Sequence, residues 1–138
     1  MKKEKPLILL SNDDGVEAKG LNELIRGLRG MGEIIVMAPD GPRSGASGAI
    51  TSEHPVRYYK VREEEDLTVY KCTGTPVDCV NMAIHLLKFK PNVIFSGVNN
   101  GLNVGTDIMY SATVASACEG INYNILGIAI SCDVDHLE

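Results

Sequence analysis

The chain has 138 residues, of which 44% are hydrophobic, and a formal net charge of −5 at pH 7. This length is enough for one core, so we expect a single domain over residues 1–138. The negative charge argues against binding to nucleic acid polymers or anionic membranes, and no apolar segment is long enough to span a bilayer. The apolar run near the first residue is too short for a signal peptide, so we expect a cytoplasmic protein.

The first third of the chain predicts a strand, a helix and a second strand. The apolar run 7–11 has hydrophobic residues on both faces, as in a buried parallel strand, and stops at two carboxylates and a glycine. Residues 18–30 predict a helix. Its apolar stripe consists of Leu21, Leu24, Ile25 and Leu28. A second apolar run, 33–38, predicts a strand that ends at Pro39.

The middle of the chain is less regular. The glycine-rich segment 40–48 directly follows the second strand and is a candidate active-site loop. Residues 49–73 are rich in β-branched and aromatic side chains and predict short extra strands, joined by a solvated turn at the acidic run 62–66. Thr75 and Pro76 supply a capping residue and a proline at the first helical position, which predict a helix. Its apolar stripe consists of Val77, Val80, Ile84 and Leu87.

The last part of the chain again predicts strands that alternate with a helix. Residues 92–96 predict a third parallel strand, and the long polar loop 97–111 follows it. A helix begins at Ser111, and residues 124–131 predict a fourth strand. The apolar stripe of this helix consists of Val114, Ala117, Cys118 and Ile121. Strands alternating with helices predict an α/β fold with a doubly wound, mostly parallel, Rossmann-like sheet.

The four cysteines lack both CxxC pairs and the spacing of a zinc site. None is followed by an arginine six positions later, which excludes a cysteine-phosphatase loop of the C-x5-R kind. We expect all four to be buried small apolar residues in a reducing compartment: Cys72, Cys79, Cys118 and Cys132.

Polar residues follow the carboxyl ends of three predicted strands. Asp13 and Asp14 come after the first strand, Ser44 after the second and Asn99 after the third. In this topology those strand ends converge on one crevice. Two carboxylates can neutralise a divalent cation, and hydroxyl and amide oxygens favour Mg²⁺ or Mn²⁺ over zinc. The alternative for the NDDG segment alone is an N-terminal cap or a turn, because asparagine and aspartate readily bond their own backbone and Gly15 tolerates positive φ.

The segment 110–113 lies at a predicted helix start. Backbone N–H groups and the hydroxyls of Ser111 and Thr113 suit an anion such as phosphate at this place. Simple helix capping by Ser111 is the alternative interpretation, and the two are compatible when the helix faces a metal.

Several separated motifs in one order resemble the SurE family of survival proteins. They are SNDDG at 11–15, APDGPRSGASG at 38–48, TGTPVDCV at 73–80, SGVNNGLNVGTD at 96–107 and YSATVASACEG at 110–120. The resemblance implies a SurE-like α/β domain. It also implies a metal-dependent 5'(3')-nucleotidase and phosphomonoesterase, with exopolyphosphatase side activity.

The resemblance further implies roles for particular residues. The implied ligands of one divalent ion per subunit, Mg²⁺ or Mn²⁺, are Asp13, Asp14, Ser44 and Asn99. Asn103, Ser111 and Thr113 occupy positions that contact phosphate or shape its pocket. The substrate is then a nucleoside monophosphate or another phosphomonoester, and the assembly a homodimer or tetramer. Asp13 and Asp14 are the catalytic residues, as holders of the cation or as base or nucleophile.

Two features depart from the family pattern. Ala112 stands where a glycine is usual, and its methyl group would strain a turn that needs positive φ. Family members also continue well beyond residue 138. We therefore expect a truncated form or fragment that lacks the C-terminal part of the family fold, including a segment used in oligomer assembly.

Two other function classes compete with a phosphatase. A receiver-like signalling domain also holds magnesium with adjacent acids after its first strand. It needs a phosphoacceptor aspartate near the end of the third parallel strand, where Ser96 and Asn99 stand instead. The second alternative, motivated by Ala112 and the missing C-terminal part, is a noncatalytic nucleotide-binding or interaction module. Binding of a nucleoside monophosphate without release of phosphate would favour it.

Overall fold

The computed structural model describes residues 4–86, 88 and 90–133. Within these residues, six strands form one sheet. The strands are β1 (Leu7–Ser11), β2 (Glu33–Pro39), β3 (Tyr58–Glu64), β4 (Leu67–Cys72), β5 (Val93–Asn100) and β6 (Leu126–Cys132). The α-helices are α1 (Lys19–Leu28), α2 (Pro76–Leu86) and α3 (Ala112–Cys118), and 3₁₀ segments cover Gly105–Tyr110 and Glu119–Tyr123.

The strand order is β3-β4-β2-β1-β5-β6. Every pair of neighbours is parallel except β3 and β4, which run antiparallel at one edge. The central strand β1 aligns Leu9 with Ile35 of β2 and with Ile94 of β5. The predicted mostly parallel α/β sheet is therefore confirmed, and the carboxyl ends of β1, β2 and β5 lie side by side.

Helices cover both faces of the central strands. Alternate residues of β1 point to opposite faces, so Ile8 and Leu10 belong to the core under α1 with Leu21. Leu9 belongs to the other core, under α2, with Val80. This two-sided burial explains why the strand reads as a continuous apolar run. None of the helices in the described part of the chain has the length and hydropathy to cross a bilayer.

The first helices and strands lie close to their predicted positions. α1 keeps its predicted stripe buried, and α2 begins at Pro76 as the capping signals indicate. Residue Leu87 of the predicted α2 stripe lies outside the described residues. The extra strands predicted within 49–73 are β3 and β4, whereas residues 49–57 carry no strand.

The predicted end of the third parallel strand is wrong. β5 continues to Asn100, because its pairing with β6 is interrupted after Ser96 and resumes where Asn99 aligns with Ser131. Gly97 permits the close approach within the interruption: a Cβ there would lie 2.3 Å from the Ile130 carbonyl oxygen. Asn99 consequently belongs to a strand and not to a loop.

The predicted stripe of the last helix is also partly wrong. α3 ends at Cys118, and a tighter 3₁₀ segment follows it. The buried residues of α3 define a different face from the predicted one: Ala112, Thr113, Ser116 and Ala117. Ala117 is buried, but Cys118 is exposed and Ile121 is 75% exposed. Cys72 and Cys79 are buried as predicted, whereas the expectation fails for Cys118 and for the partly exposed Cys132.

Candidate metal and phosphate site

The turn after β1 is built by Asn12 and Gly15. The Asn12 amide donates to the Gly15 carbonyl at 2.7 Å, and its Oδ1 accepts from the Gly15 N–H at 3.2 Å. Gly15 has a φ of +107°, which favours glycine. The turn predicted as an alternative therefore exists, but it is closed by Asn12 and does not use the carboxylates of Asp13 and Asp14.

Asp13 is a buried carboxylate without a matching donor. It is 7% exposed, and its Oδ1 has no hydrogen-bond partner among the described residues. Burial, and then the charge of Asp14, raise the pKa of Asp13, while the Thr113 hydroxyl and the backbone lower it less. The protein thus disfavours two negative charges here. A divalent cation would relieve that cost, and the oxygen donor set fits a hard cation.

The end of β5 and the start of α3 lie at the same place. Asp14 Oδ2 is 3.5 Å from the Asn100 backbone N–H, which donates to it. Thr113 is fully buried beside Asp13, and within the described structure its Oγ1 has no hydrogen-bond partner. Its hydroxyl influences the pKa of Asp13, although the two side chains do not meet in hydrogen-bonding geometry. Asp13 Oδ1 and Thr113 Oγ1 are therefore two buried polar atoms in one small region, and neither has a hydrogen-bond partner among the described residues.

Ser111 caps α3. Its Oγ accepts a hydrogen bond from the Val114 N–H at 3.2 Å, which confirms the capping interpretation. The hydroxyl hydrogen of Ser111 is not used in that bond and can still be donated to an anion. Ala112 begins the helix and is not among the residues with positive φ, so the local backbone does not require glycine there.

The Ser44 loop, residues 40–51, follows β2 and lies against Asp13. The Arg43 N–H donates to the Asp13 carbonyl at 2.7 Å, which brings Ser44 to the residue next to this contact. Ser47 Oγ donates to the Met109 carbonyl at 3.0 Å and joins the loop to the segment before α3. Ser44 itself is exposed. The loop is therefore anchored near Ser44 to the turn that follows β1.

The two predicted asparagines are held differently. The Asn99 amide donates to the Gly101 carbonyl at 2.8 Å, and its Oδ1 is the end not used in that bond. The Asn103 amide donates to Ser131 Oγ of β6 at 2.6 Å. Contacts at the strand ends thus bring together Asp13, Asp14, Thr113 and the backbone of the Ser44 loop. The described contacts tie Asn103 to β6 instead.

Sequence reasoning did not single out every residue that holds the site. For Asn12 the signal is the turn predicted at NDDG, because asparagine readily bonds the backbone near it. The Asn100 N–H had none, since it depends on the extension of β5. A cleft of about 260 Å³ beside Asp14 is lined by Asp14, Ala18, Lys19, Gly20 and Asn100. Lys19 brings a positive charge to this cleft that the motifs did not indicate.

Comparisons with known proteins agree with this architecture. The family model described as Survival protein SurE matches residues 8–138. A protein of Phocaeicola vulgatus named 5'-nucleotidase SurE is 72% identical over 132 residues, which cover 95% of this chain and 51% of that protein. The protein of the same name from Bacteroides thetaiotaomicron is 52% identical, with the same shares covered.

A solved structure agrees as well. The crystal structure of the SurE protein from Aquifex aeolicus superposes with a TM-score of 0.81 at 39% identity, and the match covers 91% of this chain and 50% of that one. The chain spans about half the length of the curated relatives it matches. With a family model matched over nearly its whole length, the chain belongs to the SurE family.

Proposed function

We propose that this chain carries the metal-binding and phosphate-binding half of a 5'-nucleotidase, which hydrolyses nucleoside monophosphates to nucleoside and phosphate. The observation that carries the proposal is the buried Asp13 Oδ1, which has no hydrogen-bond partner in the described part of the chain and lies beside a second carboxylate. The name that these relatives share, 5'-nucleotidase SurE, supports the substrate class.

The proposed cation is Mg²⁺ or Mn²⁺, held by Asp13, Asp14, Ser44 and Asn99. When bound, such an ion supplies charge neutralisation for a phosphoryl group and activation of water. Asp13 and Asp14 contribute the negative charge, and their mutual repulsion at a buried position is what the ion offsets. Ser44 and Asn99 contribute neutral oxygens, so the divalent ion and the two carboxylates together carry no net charge.

The remaining residues orient the phosphoryl group. Ser111 can donate its hydroxyl hydrogen to a nonbridging oxygen while its Oγ continues to cap Val114. Thr113 Oγ1, buried at the edge of the same site, is a second donor, and Asn103 is the third residue assigned to this pocket. Positioned donors stabilise charge that develops on the phosphoryl oxygens during transfer. A terminal phosphate of short polyphosphate presents the same group, and its hydrolysis is proposed as a side activity.

The test is phosphate release from a panel of nucleoside monophosphates, measured with chelator and after metal is added back. We expect release that depends on Mg²⁺ or Mn²⁺ and falls at least about 100-fold in Asp13→Asn, because losing a metal ligand costs no less than losing a residue that supports one. Glu65→Gln removes an exposed carboxylate in the β3–β4 turn and is the matched control. Full activity in chelator, or nucleotide binding without phosphate release, would contradict the proposal, and the second outcome would favour the noncatalytic module.

A further inference from the structure

Asp78 is a second buried carboxylate, outside the proposed metal site and 6% exposed. Its Oδ1 accepts a hydrogen bond from Thr51 N at 3.0 Å, and its Oδ2 accepts from Thr51 Oγ1 at 2.5 Å and from Thr75 N at 2.9 Å. Burial by itself raises the pKa of Asp78, but these donors outweigh burial and hold the pKa below its ordinary value. The ionised carboxylate is therefore shared by two segments of the chain.

Thr75 makes a second tie between the same segments. Its Oγ1 accepts from the Asp78 N–H at 3.1 Å, which closes a reciprocal cap at the start of α2. The same Oγ1 donates to the Ala49 carbonyl at 2.6 Å. Residues 49–51 are thus fastened to α2 by both members of the cap. A helix cap needs only the bonds between Thr75 and Asp78. The additional bonds to Thr51 and Ala49 therefore hold residues 49–51 against the start of α2.

Residues 49–51 are the far end of the Ser44 loop. The near end is held where Arg43 N–H donates to the Asp13 carbonyl. Between the two ends, the Ala46 N–H donates to the Arg43 carbonyl at 3.2 Å and the Ala49 N–H to the Ala46 carbonyl at 3.0 Å. Ser44 therefore lies in a short run of turns whose ends are fixed by Asp13 on one side and Asp78 on the other.

We propose that Asp78 is a positioning residue for the metal site: it anchors the far end of the Ser44 loop and thereby holds Ser44 beside Asp13. The inference rests on the proposed function, because it requires that a divalent cation bind at Asp13 and Asp14. Asp78 touches neither the cation nor the substrate. Its effect reaches the site through the backbone of the loop, in addition to its part in the cap of α2.

The test separates the loop bonds from the helix cap. Thr51→Val removes the hydroxyl that bonds Asp78 and leaves Thr75 in place, Thr51→Ser restores a hydroxyl, and Ser52→Ala removes an exposed hydroxyl from the next residue as the matched control. Mn²⁺ affinity is measured by titration calorimetry on the purified protein. Amide hydrogen exchange of residues 44–51 is measured without metal.

We expect Thr51→Val to weaken Mn²⁺ binding about 10-fold, in line with other residues that support metal ligands, and to speed amide exchange in the loop. Thr51→Ser and Ser52→Ala should stay within about twofold of the wild type, the size of a surface effect. If the wild type binds Mn²⁺ and Thr51→Val binds it equally, or if loop exchange is unchanged, the assignment of Asp78 is overturned while the proposed function stands. If the wild type binds no Mn²⁺, the proposed function fails and the assignment falls with it.

Discussion

Asp13 and Asp78 are two aspartates buried to nearly the same degree, and their pKa values are shifted in opposite directions. Asp78 accepts three hydrogen bonds, and its pKa is lowered. Asp13 Oδ1 has no partner in the described structure, and the pKa of Asp13 is raised. Burial alone therefore does not assign a role to a carboxylate. A buried carboxylate that accepts hydrogen bonds from the protein stabilises the fold, whereas one without hydrogen-bond donors is a candidate for binding a ligand.

The largest effect on stability is expected at the satisfied carboxylate. Asp78→Asn places an amide N–H₂ group against donors and removes the charge that they stabilise, so we expect a loss of about 3 kcal/mol in the free energy of unfolding. Urea denaturation in chelator measures it, with Glu65→Gln as the exposed control. A loss no greater than that of the control would show that the hydrogen bonds of Asp78 contribute nothing to the fold.

A slightly smaller effect is expected from metal. Because the cation binds only the folded site, Mn²⁺ at 100 times its dissociation constant should stabilise the wild type by about 2.7 kcal/mol. Asp13→Asn should show no such gain, whereas Asp78→Asn should keep part of it. Thermal unfolding with and without Mn²⁺ measures these shifts. Equal stabilisation of the wild type and Asp13→Asn would place the cation elsewhere and break the contrast between the two aspartates.

The unsatisfied carboxylate should respond in the opposite direction when metal is absent. Asp13→Asn removes a buried charge that has no donor and lies beside Asp14, so we expect it to stabilise the protein in chelator by about 1 kcal/mol. The same substitution is expected to lower the proposed phosphate release at least about 100-fold, which is the usual conflict between stability and function at a site. Chelator-treated wild type that is more stable than Asp13→Asn would contradict the interpretation.

The smallest effect is a pH dependence whose sign differs between the two residues. The pKa of Asp78 is lowered, so its contribution is complete above the ordinary value of 3.8 and is lost as the pH falls through its lower folded-state value. The pKa of Asp13 is raised, so its ionisation costs stability as the pH rises from 3.8 through its folded-state value. In chelator, the advantage of Asp13→Asn should therefore vanish below about pH 4, and the deficit of Asp78→Asn should shrink on further acidification. Unfolding free energies measured from pH 3 to 7 test both signs.

Local patterns predicted the central elements because those patterns report burial directly. β1 and β2 are apolar on both faces, and α1 shows its stripe at helical spacing. The patterns failed where a distant segment decided the outcome. β5 is longer than predicted because β6 pairs with Asn99 and Asn100. Cys118 is exposed because α3 packs through the face that carries Thr113 and Ser116.

In the candidate site, too, local patterns predicted some features and contacts between distant segments decided others. Local sequence patterns predict the kinds of ligand: adjacent carboxylates after a buried strand, a serine after the next strand and hydroxyls at a helix start. Their roles as ligands remain predictions. Thr51 and Asp78 are 27 residues apart, and no local pattern relates them. Their bond depends on how the far end of the Ser44 loop packs against α2.

The sequence by itself determined the alternation of strands and helices, the hard oxygen donors at the strand ends and the motifs of the SurE family, because each of these depends on residues close together in the chain. Only the tertiary structure decided which buried carboxylate is satisfied and which is not. Hydrogen-bond partners and desolvation come from segments that meet only after folding, so Asp13 and Asp78, alike as residues, acquire opposite pKa shifts and different proposed roles.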